Sequence, residues 1–405
     1  MADFAVLPKR RMNMLFDEQR TFDPAEARLD DLAASVATRK LHDFGYPVNQ
    51  ESRLIGFYRW LAGSGLNLAM VNNAGDPFDK EPAHLMSSLE FEREVIEHLG
   101  PLYGFDPDDL WGIVTFSGTD GNNHGLYFGA KYLENKTNKR PVLYVSDAAH
   151  YSGRRLADLQ HLDMALIPSD VHGRMIPEAL EKALIPERPA LVVYAMGTTF
   201  KGGVDDQDAL NAVLAKYPDM EVYRHVDAAL FGGYLPYSEY RDAVDRRVHP
   251  FDSIAISGHK FFGMDEPGGF FLTTKDVREH QNPYNISYLN CSMPMINCSR
   301  SAMTPIKFWW IFQHTSREQF IEQTETMLRN AAWLKEQLDG MGWPAWLEPM
   351  SNTVYFKRPP ENVVKKYNLA PDYDDRLGGE LSHIVVMQHA NEKRLQQQFL
   401  DDLKS

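Results

Sequence analysis

The central part of the chain repeats one pattern, in which a short apolar run is followed by a turn of small or polar residues and then by a stretch with helical spacing. The apolar runs predict buried strands, because they are short and are bounded by residues typical of turns. They cover residues 111–116, 141–147, 191–196, 222–226, 254–257 and 268–274. Helical spacing follows at 122–135, 151–159 and 207–216. Strands and helices that alternate in this way predict an α/β fold, with a mostly parallel sheet covered by helices on both faces.

The chain before this central part is charged and irregular up to residue 40, with a helix predicted for residues 24–40. We expect this arm to pack on a partner subunit. Further helices are predicted for residues 51–63 and, with Ser87 or Ser88 as the N-terminal cap, for the segment that ends at Leu99.

The alternation of strands and helices stops after residue 282. The remaining elements are a loop rich in Asn, Ser and Met, helices predicted for residues 305–320 and from there to 338, strands at 353–356 and 383–387, and a final amphipathic helix with Leu395, Phe399 and Leu403. This mixture predicts a smaller α+β domain. We therefore divide the chain into an N-terminal arm (1–50), a large domain (51–285) and a small C-terminal domain (286–405).

Small, hydroxyl or acidic residues stand where the predicted strands end. They are Ser117, Asp147, Gly197, Asp227 and Ser257. In a mostly parallel sheet covered by helices, the carboxyl ends of the strands meet along one edge, and ligands bind in the crevice beyond them. The pattern therefore predicts a single ligand site built from these turns.

A lysine and a carboxylate are the first candidates for that site. Lys260 ends the turn Ser257-Gly-His-Lys260, although a solvated lysine in a turn would give the same pattern, because most lysines are exposed. Asp227 ends another strand, and the small residues Ala228 and Ala229 after it would let a flat ring approach. The alternative for Asp227 is a helix cap or an ion pair. An amine that binds an aldehyde and a carboxylate that keeps a ring nitrogen protonated are what pyridoxal phosphate requires.

The turn Gly118-Thr-Asp-Gly-Asn122 is the candidate for binding the phosphate of that cofactor. It offers backbone N–H groups, the hydroxyl of Thr119 and the N-terminus of a predicted helix. Such a place binds phosphate without an arginine, although ordinary capped turns have the same composition. Ser257 and His259 can add hydrogen bonds from the other side. With Lys260, this turn completes the prediction of a pyridoxal phosphate site.

Two further strand ends carry candidate contacts to the cofactor ring. His150 follows a strand, and an imidazole there can stack on the ring and donate a hydrogen bond to a leaving carboxylate; the alternative is a structural histidine. Thr198 and Thr199 end another strand, where a hydroxyl can contact the ring oxygen; the alternative is ordinary turn chemistry.

Composition narrows the classes of function. The chain of 405 residues is 43% hydrophobic, which is enough for a sizeable core, and its formal net charge of −14 argues against nucleic acid or an anionic membrane as a partner. No run reaches the ~18 apolar residues of a membrane span, and the N-terminus lacks a signal-peptide core. The two cysteines, Cys291 and Cys298, have neither disulfide-framework nor zinc spacing. We therefore expect a cytoplasmic protein without a structural metal.

With these residues assembled, the chain resembles the group II pyridoxal-phosphate-dependent amino acid decarboxylases, most of all the bacterial histidine decarboxylases that use this cofactor and the plant serine decarboxylases. The resemblance extends from about Phe44 to Leu403. Its motifs are Phe44-Gly-Tyr-Pro47, Gly75-Asp-Pro-Phe78, Phe91-Glu-Arg-Glu-Val95, Gly118-Thr-Asp-Gly-Asn122, His150-Tyr-Ser152, Gly197-Thr-Thr199, His225-Val-Asp-Ala-Ala229, Ser257-Gly-His-Lys260, Ser299-Arg300 and Gly379-Glu-Leu-Ser-His-Ile-Val-Val-Met387.

The resemblance implies the aspartate-aminotransferase fold, known as fold type I of the pyridoxal phosphate enzymes. This fold has a mostly parallel seven-stranded sheet with helices on both faces and a smaller C-terminal α+β domain. The resemblance also implies a homodimer whose active site lies at the subunit interface.

Site residues follow from the same resemblance. Lys260 corresponds to the lysine that binds the cofactor aldehyde, Asp227 to the partner of the pyridine nitrogen, and His150 to the stacking histidine. Further candidate cofactor contacts are Gly118, Thr119, Thr199, Ala229, Ser257 and His259, and candidate substrate contacts are Tyr46, His150 and Arg300. Tyr288 corresponds to the loop tyrosine that delivers a proton to the α-carbon after CO2 leaves, a residue whose replacement by phenylalanine diverts some relatives to aldehyde formation.

Three stretches depart from the family pattern, and all three border the expected substrate pocket. Residues 264–269 replace a Pro-Cys-Gly turn, Ser301 stands where an asparagine often follows Ser-Arg, and residues 79–84 match neither group. We expect α-decarboxylation of an L-amino acid, with L-histidine as the first candidate and a small polar amino acid such as L-serine as the second. Transamination or aldehyde-forming oxidation on the same fold, and a catalytically silent scaffold, are the alternatives.

Overall fold

The computed structural model describes residues 24–79, 84–281, 284–287, 291–391 and 393–404. The helices of these residues are, in chain order, α1 (Pro24–Arg39), α2 (Ile55–Ser64), α3 (Leu89–Leu99), α4 (Gly118–Thr137), α5 (Ser152–Leu159), α6 (Pro177–Ala183), α7 (Gln207–Leu214), α8 (Phe231–Tyr234), α9 (Gly258–Phe261), α10 (Lys275–Glu279), α11 (Met303–His314), α12 (Arg317–Gly340), α13 (Glu361–Lys366) and α14 (Lys393–Asp402). The strands are β1 (Asn72–Ala74), β2 (Leu110–Thr115), β3 (Val142–Ser146), β4 (Asp163–Ile167), β5 (Ala190–Ala195), β6 (Val222–Asp227), β7 (Ser253–Ile256), β8 (Gly269–Thr274), β9 (Tyr284–Ile286), β10 (Cys291–Met293), β11 (Ser299–Ser301), β12 (Ala345–Leu347), β13 (Thr353–Lys357), β14 (Ala370–Asp374) and β15 (Gly379–Val385).

Seven strands form the central sheet in the order β2-β8-β7-β6-β5-β3-β4. The series from β7 to β4 is parallel, whereas β8 runs antiparallel to its neighbours β2 and β7. Every residue of β2, β3, β5, β7 and β8 is buried, which explains why these strands appear in the sequence as continuous apolar runs. The structure confirms the predicted fold class.

Helices cover both faces of the sheet, as β5 shows. Its Val192 packs in the same core cluster as Val95 of α3, whereas its neighbours Leu191 and Val193 pack on the opposite face with Leu126 of α4. Successive side chains of a strand point to opposite faces, so both faces need an apolar layer of helices. The buried cores therefore lie above and below the sheet and leave its carboxyl edge open.

Two details of the predicted elements differ in the structure. The prediction of one helix across residues 305–320 is wrong: α11 ends at His314, and α12 begins after a capping box in which Ser316 Oγ accepts from the Gln319 N–H and Gln319 Oε1 accepts from the Ser316 N–H. Ser88 precedes α3 as predicted, but its hydroxyl makes no capping bond and instead donates to the Ala302 carbonyl over 2.7 Å. The Ser88 bond ties the start of α11 to the start of α3.

A row of glycines brings α4 unusually close to the sheet. A Cβ added at Gly118, Gly125 or Gly129 would lie 2.1 to 2.6 Å from Ser257, His225 or Tyr223, respectively. Contacts this short do not occur between real atoms, so a side chain at any of these positions would force its neighbour or the helix to move. The N-terminus of α4 is consequently held against the ends of β6 and β7.

The small domain is built on the antiparallel sheet β12-β13-β15-β14. Its core contains Leu334 of α12, Val354 of β13, Ile384 of β15 and Phe399 of α14. Phe44, from the N-terminal segment, is fully buried in this same cluster. The limits drawn at residues 50/51 and 285/286 stay predictions.

The part of the chain described here contains no helix that is both long and apolar enough to cross a membrane.

Candidate active site

A cavity of about 360 Å³ opens at the carboxyl edge of the central sheet. The turns after β2, β3, β5, β6 and β7 line it, and so do Thr353 and Val385 of the small domain. The structure brings together in this cavity Gly118, Thr119, His150, Thr199, Asp227, Ala229, Ser257, His259 and Lys260. These are all of the predicted cofactor contacts.

Lys260 lies on the one-turn helix α9, directly after β7. Its backbone is fixed from both sides, because its N–H donates to the Ser257 carbonyl and its own carbonyl accepts from the Asn49 N–H over 3.0 Å. Burial lowers the pKa of the Lys260 amine, and the Asp227 carboxylate opposes that shift. A lowered pKa increases the fraction of neutral amine, which is the form that attacks an aldehyde.

Asp227 is the last residue of β6, and its carboxylate is held at both oxygens. Asn122 of α4 donates to Oδ2 over 2.9 Å, and the Ala229 N–H lies 3.3 Å from Oδ1. The cavity therefore contains a carboxylate with a fixed orientation, and this carboxylate interacts electrostatically with the Lys260 amine.

Behind Asp227 lies a chain of hydrogen bonds that begins with a buried histidine. His225 Nε2 is 2.9 Å from Asn122 Oδ1, and its Nδ1 is 2.8 Å from the Ser253 hydroxyl. Burial lowers the pKa of His225 to about 3, so the ring is neutral near physiological pH. Since Asn122 uses its amide N–H for Asp227, its Oδ1 must accept, which assigns the imidazole proton to Nε2. Ser253 therefore donates to His225, His225 donates to Asn122, and Asn122 donates to Asp227, which is the final acceptor.

Sequence reasoning did not assign a role to Asn122 or His225. Both residues lie inside recognised motifs, but their contact joins positions 103 residues apart. Two sequence features could have indicated their roles. Asn122 is the last residue of the phosphate-turn motif, and His225 precedes Asp227 by two residues, so both point to the same face of β6.

The phosphate-binding candidate is the N-terminus of α4. Ser117 is its N-cap and accepts from the Asp120 N–H through its side chain, which leaves the first backbone N–H groups of the helix open to the cavity. Gly118 is buried so close to Ser257 that a Cβ would lie 2.1 Å from the hydroxyl oxygen. Helix N–H groups, the Ser257 hydroxyl and the His259 ring together form a donor set suited to a phosphate dianion. The residues present fit pyridoxal phosphate.

His150 lines the cavity with a defined tautomer. The Ser152 N–H lies 3.3 Å from His150 Nδ1, and the Ser152 hydroxyl lies 2.7 Å from the same atom. A backbone N–H can only donate, so Nδ1 accepts and the proton of the neutral ring is on Nε2. Burial lowers the pKa of His150, the nearby Asp227 carboxylate raises it, and the Lys260 ammonium lowers it further.

The two threonines after β5 have different environments. Thr198 is buried, and its hydroxyl accepts from the Gly203 N–H over 3.0 Å, so it stabilises the turn itself. Thr199 is exposed on the cavity side. Of the pair, Thr199 is the one whose hydroxyl is available to a ligand.

The other residues predicted to contact substrate do not line the cavity. Tyr46 is half-exposed and does not line this cavity, although the next residue, Pro47, does. Arg300 is buried beside Glu92, with Nη2 2.8 Å from Glu92 Oε2, and lies outside the cavity lining. Tyr288 lies outside the described residues. Substrate contact by Tyr46 and Arg300 and proton delivery by Tyr288 stay predictions.

Comparison with known proteins agrees with this arrangement. Residues 128–342 match the family model described as the pyridoxal-dependent decarboxylase conserved domain. The chain is 31% identical to serine decarboxylase 1 of Oryza sativa subsp. japonica over 92% of this chain and 74% of that protein. It is also 31% identical to a histidine decarboxylase of Mesorhizobium japonicum over 89% of this chain and 93% of that protein.

Among solved structures, L-methionine decarboxylase from Streptomyces sp. 590 superposes with a TM-score of 0.81 at 22% identity, over 95% of this chain and 96% of that one. At this identity the likeness concerns the fold alone, and it is the fold type I architecture expected from the sequence. The family match extends over more than half of the chain, and the sequence relatives cover most of it. The chain therefore belongs to the pyridoxal-dependent decarboxylase family, and it is a pyridoxal-phosphate-dependent amino acid decarboxylase.

Proposed function

We propose that the protein removes the α-carboxylate of L-histidine and releases histamine and CO2. The single observation that carries the reaction is the pairing of the Lys260 amine with the anchored Asp227 carboxylate in one cavity. The substrate rests on similarity to histidine decarboxylases, including those of Mesorhizobium japonicum and Solanum lycopersicum.

Bound pyridoxal phosphate supplies an aldehyde that condenses with amines and a ring that accepts the electron pair freed when the carboxylate leaves. We assign the aldehyde to Lys260 and the ring nitrogen to Asp227, whose negative charge keeps a proton on that nitrogen. Since Asn122 and the Ala229 N–H hold both carboxylate oxygens, Asp227 keeps its orientation without rearrangement.

The remaining cavity residues bind and orient. The phosphate is assigned to Gly118, Thr119, Ser257 and His259 at the N-terminus of α4. Ala229 would leave room for the cofactor ring because its side chain is small, and the Thr199 hydroxyl is the donor assigned to the ring oxygen. These contacts lie along one sheet edge, so the cofactor is held at its phosphate, its ring and its aldehyde at the same time.

His150 is assigned to the substrate carboxylate. Its Nε2 carries the proton, so it can donate a hydrogen bond and hold the bond to be broken perpendicular to the cofactor ring. Tyr288 is assigned to delivering a proton to the α-carbon after CO2 has left, and Tyr46 and Arg300 to substrate binding. These three assignments rest on the family resemblance.

The proposal includes a homodimer with a shared active site, in the cytoplasm. Several large apolar side chains of the N-terminal third are exposed in the single chain: Leu29, Leu32, Val36, Ile55, Trp60, Leu68, Met70, Leu85 and Met86. A second copy that covers them would remove this apolar area from water. The use of only two cysteines in 405 residues is typical of a reducing compartment.

L-Serine is the second candidate substrate. Serine decarboxylases 1 and 3 of Oryza sativa subsp. japonica are 31% and 32% identical to this chain, as close as the histidine decarboxylases. The two amino acids share the groups that the cavity binds and differ only in the side chain.

The test is a direct survey of products. The enzyme loaded with pyridoxal phosphate is incubated with each common L-amino acid separately, and the amines are identified by mass spectrometry. Histamine should form fastest, and the Lys260→Ala variant should form none, whereas Lys275→Ala, which removes an exposed lysine that bonds the Asp108 carbonyl, should match the wild type. Another amine that accumulates while histamine is absent would overturn the choice of histidine, and full activity of Lys260→Ala would overturn the choice of lysine.

A further inference from the structure

Two segments of the cavity wall are held by one strand of the small domain. The first is the turn at Tyr46 and Pro47, and the second is the turn after β5 that carries Thr198 and Thr199. Strand β15, which itself contributes Val385 to the cavity, bonds the residues next to both segments, Phe44 and Gly45 beside the first and Phe200 beside the second. The shape of the cavity therefore depends on the position of β15.

His383 of β15 makes the contact to both segments with a single ring. Its Nδ1 is 2.8 Å from the Phe200 carbonyl oxygen, and its Nε2 is 2.9 Å from the Gly45 carbonyl oxygen. The ring is buried and stacks on the Phe200 ring, with centroids 4.5 Å apart and an angle of 18° between the planes. Both edges and one face of the imidazole are thus used by the two segments.

The turn at Tyr46 and Pro47 is fixed at both ends. On its N-terminal side, the Asp43 and Phe44 carbonyls accept from His389 Nε2 and the Val385 N–H, and the Gly45 carbonyl oxygen lies 2.9 Å from His383 Nε2. On its C-terminal side, the Asn49 N–H donates to the Lys260 carbonyl, and the Asn49 side-chain amide donates to the Phe261 carbonyl, each over 3.0 Å. The segment therefore runs from the small domain to the cofactor lysine.

The turn after β5 is also attached to the small domain beside His383. Lys201, the residue after Phe200, is buried and forms an ion pair with Asp374 of β14. Burial lowers the pKa of His383, and the Phe200 and Gly45 carbonyls and the Asp372 carboxylate of β14 oppose that shift. A neutral imidazole donates to one of its two carbonyl partners and a protonated one to both. The protonated ring therefore holds both carbonyls by hydrogen bonds, whereas the neutral ring holds one of them and separates it from the other by its own width.

We propose that His383 is a positioning residue for decarboxylation, which sets the spacing between the Tyr46–Pro47 turn and the Thr198–Thr199 turn and thereby the fit of the amino acid side chain. This inference rests on the proposed function for its substrate. It predicts an effect on substrate binding rather than on the cofactor, because His383 touches neither Lys260 nor the phosphate-binding turn.

The test compares His383→Asn with His172→Asn. Asparagine is too short to reach both carbonyls, so KM for the amino acid should rise about tenfold or more, whereas the visible absorption of the bound cofactor should be unchanged. His172 also bonds the small domain, through Glu348 Oε1 at 2.7 Å, but lies outside the cavity lining. His172→Asn should therefore leave KM within about twofold of the wild-type value. Equal KM values for His383→Asn and the wild type would overturn the proposal.

A second variant keeps the test decisive. His383→Gln retains a donor long enough for one carbonyl, and its KM should fall between those of the wild type and His383→Asn. If both variants fail to fold, His383 acts in stability rather than in positioning, and the proposal is overturned.

The assay uses whichever amino acid the wild type decarboxylates, so a failure of histidine as substrate does not affect the result. If no amino acid is turned over, the dissociation constant of an amino acid methyl ester, followed by the cofactor spectrum, replaces KM.

Discussion

Asn122 donates its side-chain N–H to Asp227 over 2.9 Å and accepts from His225 over the same distance with its other side-chain atom. One amide thus joins α4, whose N-terminus is the phosphate-binding candidate, to the acid at the end of β6. A charge that meets preoriented dipoles needs no rearrangement when it acts, which is the condition for strong electrostatic stabilisation.

Replacing Asn122 by alanine should therefore impair catalysis more than folding. The variant leaves Asp227 Oδ2 without its donor and His225 without its acceptor, and kcat/KM should fall by about 10- to 100-fold, the range seen when a hydrogen-bonded support is removed from a functional group. Asn123→Ala is the matched control, since Asn123 bonds Gln160 and not the cavity residues. Steady-state kinetics measure kcat/KM for both variants. Equal losses of kcat/KM would contradict the role assigned to the hydrogen-bond chain through Asn122.

Gly118→Ala should weaken cofactor binding. The new Cβ would lie 2.1 Å from Ser257 Oγ, so either the helix N-terminus or Ser257 must move away from the phosphate. We expect a loss of about tenfold in affinity, equivalent to ~1.4 kcal/mol, in a titration of the protein with pyridoxal phosphate. Gly63→Ala in α2 is the control, because nothing lies within 4 Å of its added Cβ. Unchanged affinity in Gly118→Ala would remove this turn from phosphate binding.

The neutral His225 should make stability depend on pH. Its pKa is lowered from 6.5 to about 3 in the folded protein, so between these values the unfolded chain binds the extra proton and unfolding is favoured as pH falls. The contribution of the neutral His225 to the free energy of unfolding is fully present above pH 6.5 and declines by ~1.4 kcal/mol per pH unit below that pH. Unfolding midpoints of the wild type and His225→Gln, measured from about pH 7 to pH 5, should converge as the pH falls. Parallel curves would show that folding does not lower the pKa of His225.

Arg300→Met should destabilise the fold. Arg300 and Glu92 are almost fully buried as a pair, and removing one partner leaves an uncompensated charge at a cost of about 3 to 5 kcal/mol. The double variant Arg300→Met with Glu92→Gln should recover much of the loss in urea unfolding. If Arg300 also contacts substrate, KM rises in the single variant and stays high in the double variant. KM thus separates the two roles.

Tyr288→Phe should change the product rather than stop the reaction. Removal of the hydroxyl takes away the proton assigned to the α-carbon, so product should shift from amine towards aldehyde, with dissolved O2 as the oxidant and ammonia and hydrogen peroxide as the other products. Mass spectrometry of both products checks this, with Tyr240→Phe as a control at a partly exposed tyrosine outside the cavity lining. An unchanged amine yield would remove Tyr288 from proton delivery.

The sequence predicts the buried strands well and the edge strand poorly. Strands such as β5 and β8 are covered on both faces, so burial selects an unbroken apolar run. Strand β4 lies at the sheet edge and exposes Asp163, Met164 and Leu166, so its pattern resembles a loop and did not predict a strand. The break between α11 and α12 did have a local signal, Ser316 followed three residues later by Gln319, which the apolar spacing obscured.

The candidate site also combines positions that the sequence predicts with contacts that it does not predict. Lys260, Asp227 and Gly118 follow strands, so strand ends alone predict that they meet. The pairing of Arg300 with Glu92 joins residues 208 positions apart, and that of Asn122 with Asp227 joins residues 105 positions apart. Neither contact leaves a periodic or local trace, because the fold and not the neighbouring sequence sets it.

The glycine row of α4 has a consequence for how such enzymes diversify. Where the backbone of a helix packs directly on strand side chains, as α4 does on His225 and Tyr223, a larger residue at these glycine positions would push the helix away from the sheet and shift the cofactor seat at its N-terminus. Pro47, Thr353 and Val385, in contrast, line the cavity with exchangeable side chains, which we call the rim and to which the proposed function assigns recognition of the amino acid. New substrate preferences can therefore arise, or be engineered, at the rim while the cofactor seat stays intact.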